Sequence, residues 1–362
     1  YNLMGHALQK VLGVIARQQG RGLTEVAREA DASVVVGRSL KANLDIDWDD
    51  REARSGALKI ILKVLDHVEQ MIEQSGHDDA VAALKIARLI EQQDVVMDDN
   101  GAPQLRKGVA ADRRISIEDP DMRHGRKSRA KRFDGYKRHV LHDLDSELVL
   151  AVGVTPANAP EAQVTDDIEQ DLRHQNLALA ELHIDRAYLS SRMVRGRPEE
   201  LAIRCKPWKA RNGAYFPKTD FELDWERLTI RCPNQVERPF TPGTIVHFPA
   251  AACTPCPLRD QCTRSQNGRS VSIHPDEAVI DDLRAAQATP EGRDALRQRV
   301  AVEHALARIQ QWQGPRARYR GTRTNLFDLR RTAVVANLHV IARKHRDWAL
   351  RLPSARTAAL AA

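Results

Sequence analysis

No apolar run reaches the ~18 residues that a membrane-crossing helix needs, and nothing near the start reads as a secretion signal. Cysteine is sparse: five in 362 residues, four of them between Cys232 and Cys262. Without an export signal, that crowding argues against a disulfide framework and for a reducing compartment. Charge is not lopsided either. Lys and Arg number 56 against 49 Asp and Glu, and the net +7 on so long a chain favours a polyanionic partner only modestly. What is present is concentrated. Residues 123–132 carry six Lys or Arg in ten positions, and residues 316–331 carry six Arg in sixteen, which suits phosphate-facing segments better than solvated loops. The length is enough for a substantial core in two or three structural units.

Apolar spacing of three to four residues predicts helices over residues 3–18, 55–74 and 77–93, the last two as a hairpin. Residues 23–45 could open a helix-turn-helix, although short consecutive helices are common in any bundle. The sequence begins at Tyr1 directly in a helical pattern, and we expect a segment to precede it. After a turn-rich linker at 98–103 the period becomes that of strands. Residues 114–118 read as a short alternating segment, and 133–143 and 148–155 as an antiparallel pair. A helix over 161–174 then feeds a mostly apolar strand that stops on Asp185, with a helical piece over 192–200 and a strand over 201–207 beyond it. Residues 208–285 form a β-rich interruption around the cysteines. Thr289-Pro290 should cap a long helix through Gln313, with Arg299 and Glu303 one turn apart, followed by a last helix over 326–344 and a frayed Ala-rich tail.

A carboxylate at the carboxyl end of a strand in an α/β sheet is well placed for a hard divalent ion, and a solvated strand end is the plainer reading of Asp185. The downstream helix presenting Glu303 changes that balance. The segments Asp119-Pro-Asp-Met-Arg-His-Gly-Arg-Lys-Ser128, Asp134-Gly-Tyr-Lys-Arg-His139, Val154-Thr-Pro-Ala-Asn158, His183-Ile-Asp-Arg-Ala-Tyr188 and Arg299-Val-Ala-Val-Glu303 together resemble the DDE transposases of bacterial insertion sequences. The resemblance implies an α/β fold, with an RNase H-like mixed sheet flanked by helices. It implies a helical insertion over 1–103, the core over 104–207, a β insertion over 208–288, core helices over 289–345 and a tail over 346–362.

The same resemblance implies phosphoryl transfer on DNA with two Mg²⁺ or Mn²⁺ ions held by three acidic residues, two of them Asp185 and Glu303. Arg299 would contact or position DNA, beside Arg123, Arg126, Lys127, Arg129, Lys131 and Arg132. The partners would be double-stranded terminal repeats and target DNA, bound by a homo-oligomer at the bacterial nucleoid in the cytoplasm. A Tyr and a Lys that often flank the Arg and Glu are here Leu296 and Gln310. The first acid is expected upstream of Tyr1; Asp119, after residues 114–118, is the other placement. Other classes remain open, namely a noncatalytic DNA-binding remnant and a nuclease of the same fold that never rejoins strands. Cys253-Thr-Pro-Cys256 has knuckle spacing, and with Cys232 and Cys262 it could hold a structural zinc ion, against reduced unliganded thiols. Cys205 reads as a buried small apolar residue, and His183 and His304, flanking the two acids, read as structural.

Overall fold

A computed structural model describes all residues except 38, 76–77, 111, 129, 345–355 and 362. The chain divides into two compact units. The first takes in Tyr1–Lys137, Pro156–Asn158 and Ala317–Asn325, and the second Arg138–Thr155, Ala159–Arg316 and Leu326–Ala362.

The first unit opens with α1 (Asn2–Gln19), which stops at Gly20, a left-handed residue (φ 63°) whose N–H caps the last carbonyls. The helices α2 (Leu23–Glu29), α3 (Leu40–Leu44), α4 (Arg51–Ser75) and α5 (Asp78–Asp94) follow. Leu8, Val11, Leu12 and Ile15 of α1 pack with Leu58, Ile61, Leu65 and Val68 of α4 and with Leu84 and Ile90 of α5. Each such buried aliphatic side chain contributes roughly 2 kcal/mol, so this unit has its own core. With five residues, α3 is too short to act as a groove-reading helix, so residues 23–45 do not form the helix-turn-helix. The short strands β1 (Val95–Met97) and β2 (Pro103–Leu105) pair antiparallel. Residues 114–118 are not a strand; the Gln93 side chain brackets Arg114, bonding its N–H and its carbonyl. β3 (Arg123–Arg126) then pairs antiparallel with the first residues of β4 (Arg132–Asp143).

The second unit holds the rest of β4, which pairs with β5 (Val149–Pro156). The chain continues through α6 (Thr165–His174), β6 (Leu179–Ile184), α7 (Arg192–Arg195) and β7 (Ala202–Cys205). Strands β6 and β7 are parallel, with Ile184 opposite Cys205. The β-rich interruption contains a three-stranded sheet of β8 (Glu222–Asp224), β9 (Thr229–Arg231) and β10 (Glu237–Pro239). It also contains β11 (Ile245–Phe248), the short α8 (Ala250–Cys253) and α9 (Arg259–Cys262), and β12 (Arg269–Ser272), paired with β11. Its small core includes Phe221, Ile230, Phe240, Val246 and Phe248. After α10 (Glu277–Ala288), the expected single helix is two, α11 (Pro290–Gln298) and α12 (Val300–Gln313), with Arg299 at the join. The last helix, α13 (Thr322–Arg343), begins four residues before the apolar pattern does.

The tail supplies the largest departure from expectation. Instead of fraying, Arg356–Ala361 forms β13, which lies between β4 and β6. It is antiparallel to β4, with Ala359 opposite His142 and Ala361 opposite Val140, and parallel to β6, with Ala359 opposite His183 and Leu360 opposite Ile184. The sheet is therefore mixed, and α/β with flanking helices, as an RNase H-like fold requires. One face, with Leu182, Ile184, Ala358 and Leu360, packs on Ile168, Leu172, Met193 and Val194 of α6 and α7. On the other, Ala359 and Ala361 meet Val302 of α12, while Val140, Val149 and Val152 meet Ile309, Leu329 and Ala333.

Candidate active site and nucleic-acid interface

Asp185 is the first residue beyond β6. Its backbone stays extended while its side chain accepts the Arg186 N–H at 2.7 Å, capping a single turn over Arg186–Tyr188. The carboxylate is exposed, and the residue three positions on, Tyr188, is buried. The Tyr188 hydroxyl lies 2.8 Å from Nδ1 of His139, and Nε2 of His139 lies 2.9 Å from the Thr155 hydroxyl. Three residues that the sequence offers as separate signatures, in β4, β5 and the turn after β6, are thus one buried hydrogen-bonded chain that braces the Asp185 turn. Satisfied networks of this kind rigidify what they support.

Burial pushes the Tyr188 phenol well above the usual tyrosine range, with Glu161 and Asp185 acting in the same sense and Arg299 opposing. Burial likewise pushes the Cys205 thiol up to about 12, with Asp185 again adding and Arg299 opposing. Cys205 is therefore the inert buried thiol expected from its strand. Both groups feel Asp185 and Arg299 together, so the guanidinium and the carboxylate share one neighbourhood at the carboxyl ends of β6 and β7.

Arg299 stands at the join of α11 and α12 and donates to Glu303 Oε1 at 2.9 Å, one turn further on. Val302 is fully buried against β13, so Glu303 beside it emerges from an anchored turn with its side chain 57% exposed. Asp185 and Glu303 offer hard oxygen donors suited to Mg²⁺ or Mn²⁺, and one oxygen of each carries no hydrogen bond among the described residues. Among the described residues, no three His, Cys, Asp or Glu side chains gather as a metal site.

Asp119 belongs to the first unit and is committed there. It is buried, and its carboxylate accepts the Tyr136 hydroxyl at 2.5 Å and the Gly321 N–H at 3.3 Å. Two residues on, Asp121 caps α13 by accepting both the N–H and the hydroxyl of Thr322 at 2.8 Å. These contacts hold segment 317–325 against the base of the β3–β4 hairpin. Nothing local in the sequence signals them, because the partners are some 200 positions apart; the Gly321-Thr322 helix start is the only hint.

The basic run 123–132 is that hairpin and its tip. Arg126 pairs with Arg132, and Lys127 N–H donates to the Lys131 carbonyl. Arg126, Lys127, Lys131 and Arg132 are exposed and carry no ion pair among the described residues. Arg129 lies outside the described residues. Arg123 is different: Asp112 holds it at 2.7 Å, and it donates to backbone carbonyls of the same loop. Gly125 is required here, since a Cβ would meet Ala157 and the Phe133 ring at 2.7 Å. In the second basic run, Arg320 pairs with Glu118 at 3.1 Å, and Arg330 and Arg331 pair with Asp171 and Asp328.

No zinc ribbon is evident among the described residues. Cys232, Cys253, Cys256 and Cys262 line one small cavity of about 30 Å³; Cys253 Sγ donates to the Phe248 carbonyl at 3.7 Å, and burial, with Cys253, Cys232 and Cys256 adding and Arg269 opposing, raises the Cys262 thiol. Cys232, Cys253 and Cys262 pack against the small core with Phe216 and Phe248. His183 is structural as read, buried with Nε2 2.7 Å from Glu181 Oε1.

The second unit is a mixed α/β sheet with one carboxylate, Asp185, at a strand end and an Arg299–Glu303 pair at the start of α12; the first unit carries a basic β-hairpin. Two models of the transposase DDE domain match the chain, one over residues 84–209 and the other over residues 231–342. Asp185 falls within the first interval, Arg299 and Glu303 within the second. The chain belongs to the DDE-type transposases. No curated protein and no solved structure matches it.

Proposed function

We propose that the protein carries out the DNA chemistry of an insertion-sequence transposase, metal-dependent cleavage of the element's ends and their joining to target DNA. What supports this reading is that Asp185 and Arg299 both act on Tyr188 and Cys205 and that Arg299 donates to Glu303, each of the three residues lying within a DDE-domain interval. Asp185 and Glu303 would hold Mg²⁺ or Mn²⁺, which activates the attacking oxygen and steadies the leaving one. Arg299 keeps Glu303 oriented and offers a cation to a phosphate. The exposed hairpin cations Arg126, Lys127, Lys131 and Arg132 track the backbone of double-stranded DNA, and two copies of the chain acting on paired ends suit a reaction with two ends.

A third carboxylate completes the set such chemistry uses. Asp119 is spoken for by Tyr136 and Gly321, which favours a strand outside residues 1–362. The experiment is a gel assay with the element's own ends and Mg²⁺ or Mn²⁺. Residues 1–362 should bind without cutting, and a chain extended upstream should cut and join. Robust cleavage by residues 1–362 that Asp119→Ala abolishes would assign the first acid to Asp119. Cutting without joining by the extended chain would make the protein a nuclease, and binding alone a noncatalytic remnant.

A further inference from the structure

Helix α13 is apolar on two sides. Leu329, Ala333, Ala336 and Val340 are buried, Leu329 and Ala333 against Val140, Val149 and Val152 of the sheet. Two polar contacts fix that orientation. The Asn337 side chain accepts the Val149 N–H and donates to the Val149 carbonyl, both at 2.8 Å, and buried Asp328 accepts the Gln313 amide at 2.7 Å. The helix is thereby kept from rolling, and a second stripe is held outward: Phe327, Val334, Leu338 and Ile341, 46–67% exposed, with Val335 at its margin. These four positions fall within about 60° of one another around the helix. Beside them Trp312 of α12, also exposed, lies against His339 of α13 with ring centroids 4.9 Å apart. A surface helix ordinarily carries one apolar stripe, whereas a helix apolar all round is covered all round.

We propose that this stripe is a self-association surface, and that its occupant is α13 of a second copy of the chain, laid antiparallel across a twofold axis at Val334. The stripe is self-complementary. Phe327, Val334 and Ile341 recur every seven residues, so a twofold axis at Val334 seats Phe327 on Ile341 of the second copy at both ends, as an isologous contact requires.

Charge permits the same arrangement. The twofold lays Arg330 over Leu338 and Arg331 over Asn337 of the second copy. These arginines are already paired, with Asp171 at 2.8 Å and Asp328 at 2.6 Å, so the two copies do not set bare cations against each other, and the aliphatic stems add cover to the apolar side chains. The area is also sufficient. Phe327, Val334, Val335, Leu338, Ile341 and Trp312 leave roughly 500 Å² of apolar surface per copy, a patch of the size that marks interaction sites. Doubled, it reaches the ~1,000 Å² that a specific interface needs before any polar rim is counted. The proposed DNA chemistry uses two copies, and this surface joins them. The inference itself rests on α13 alone and is tested without DNA, so its failure and that of the DNA reading are distinguishable.

Sedimentation velocity of the full chain without DNA tests it. The chain should sediment as a dimer with a dissociation constant on the order of 1–10 µM. Val334→Glu sets two carboxylates face to face on the axis and should raise that constant about 100-fold or more. Val334 is exposed, so this substitution leaves the core intact; Ile60→Glu, at an exposed apolar position on α4, is the control and should leave the constant unchanged. Engineered cysteines read the register. Phe327→Cys mixed with Ile341→Cys should cross-link between copies under mild oxidation, and Phe327→Cys alone should cross-link no more than the parent chain. A monomer at ~50 µM would overturn the proposal and leave the stripe to a different protein. A dimer that Val334→Glu weakens no more than Ile60→Glu does, or Phe327→Cys cross-linking alone as readily as in the mixture, would overturn it too.

Discussion

Asp119→Ala separates a structural carboxylate from a catalytic one. The side chain is 6% exposed and accepts from the Tyr136 hydroxyl at 2.5 Å, the Asp121 N–H at 3.1 Å and the Gly321 N–H at 3.3 Å. Hydrogen bonds to a charged acceptor contribute about 1.5–3 kcal/mol each, but Gly321 N–H keeps a second acceptor in the Tyr136 oxygen at 3.0 Å. The net cost of the substitution should therefore be about 2–3 kcal/mol. Tyr136→Phe removes one side of the same contact and should cost about 1–2 kcal/mol. Because the two groups touch, the double variant should lose less than the sum of the singles, by about 1 kcal/mol or more. Urea unfolding gives these values, and hydrogen exchange across residues 317–325 shows where the loosening falls. A loss below about 0.5 kcal/mol, or strict additivity, would refute the clamp.

Further expectations concern the DNA surface, an acid-sensitive contact and the thiols. Replacing Arg126, Lys127, Lys131 and Arg132 together with alanine should flatten the dependence of log K on log salt by up to about 3–4, at ~0.9 per phosphate contact. Fluorescence anisotropy with duplex DNA from 50 to 300 mM salt (about the usual working range) measures it, and an unchanged slope would remove the hairpin from the interface. Arg123→Ala should instead lower stability and leave the slope alone, because Asp112 already neutralises it. Glu277 is fully buried; burial raises its pKa, but Lys218, the His274 N–H and Arg284 together outweigh that and hold it below the usual range. Its folded pKa is thus depressed, so its stabilisation is present above the unfolded pKa and disappears as pH falls through the folded value. Glu277→Gln should cost about 3 kcal/mol at neutral pH, narrowing toward zero in acid, as thermal melts across pH would show. Protein purified without chelator should contain no stoichiometric zinc; elemental analysis finding one ion per chain would mean that the four thiols converge as thiolates.

The helices of the first unit and the strands around Asp185 were legible because periodicity follows from which face is buried. Leu58, Ile61, Leu65, Val68 and Ile72 recur at helical spacing and all prove buried. The strand ending on Asp185 and the turn carrying Arg299 and Glu303 were found from local pattern and resemblance together. What escaped was non-local. The Asp119–Tyr136–Gly321 contact joins positions far apart, and the tail after Pro353 reads as frayed because alanine is a poor strand former; only β4 and β6 on either side make Arg356–Ala361 a strand. The helix break at Arg299 was equally invisible, since the residue keeps helical dihedrals there. The cysteine spacing points to the cluster that does line one cavity, but spacing alone does not report whether a metal sits among the thiols.

The central claim is that Asp185 and Glu303 hold the divalent ion. Fe²⁺ substituted for Mg²⁺, with ascorbate and peroxide, cleaves the backbone where the metal sits, and it does so whether or not the chain cuts DNA. Cuts should cluster near residues 185 and 303 and vanish in both Asp185→Asn and Glu303→Gln. Cuts centred on Asp119, or a pattern unchanged by either substitution, would contradict it.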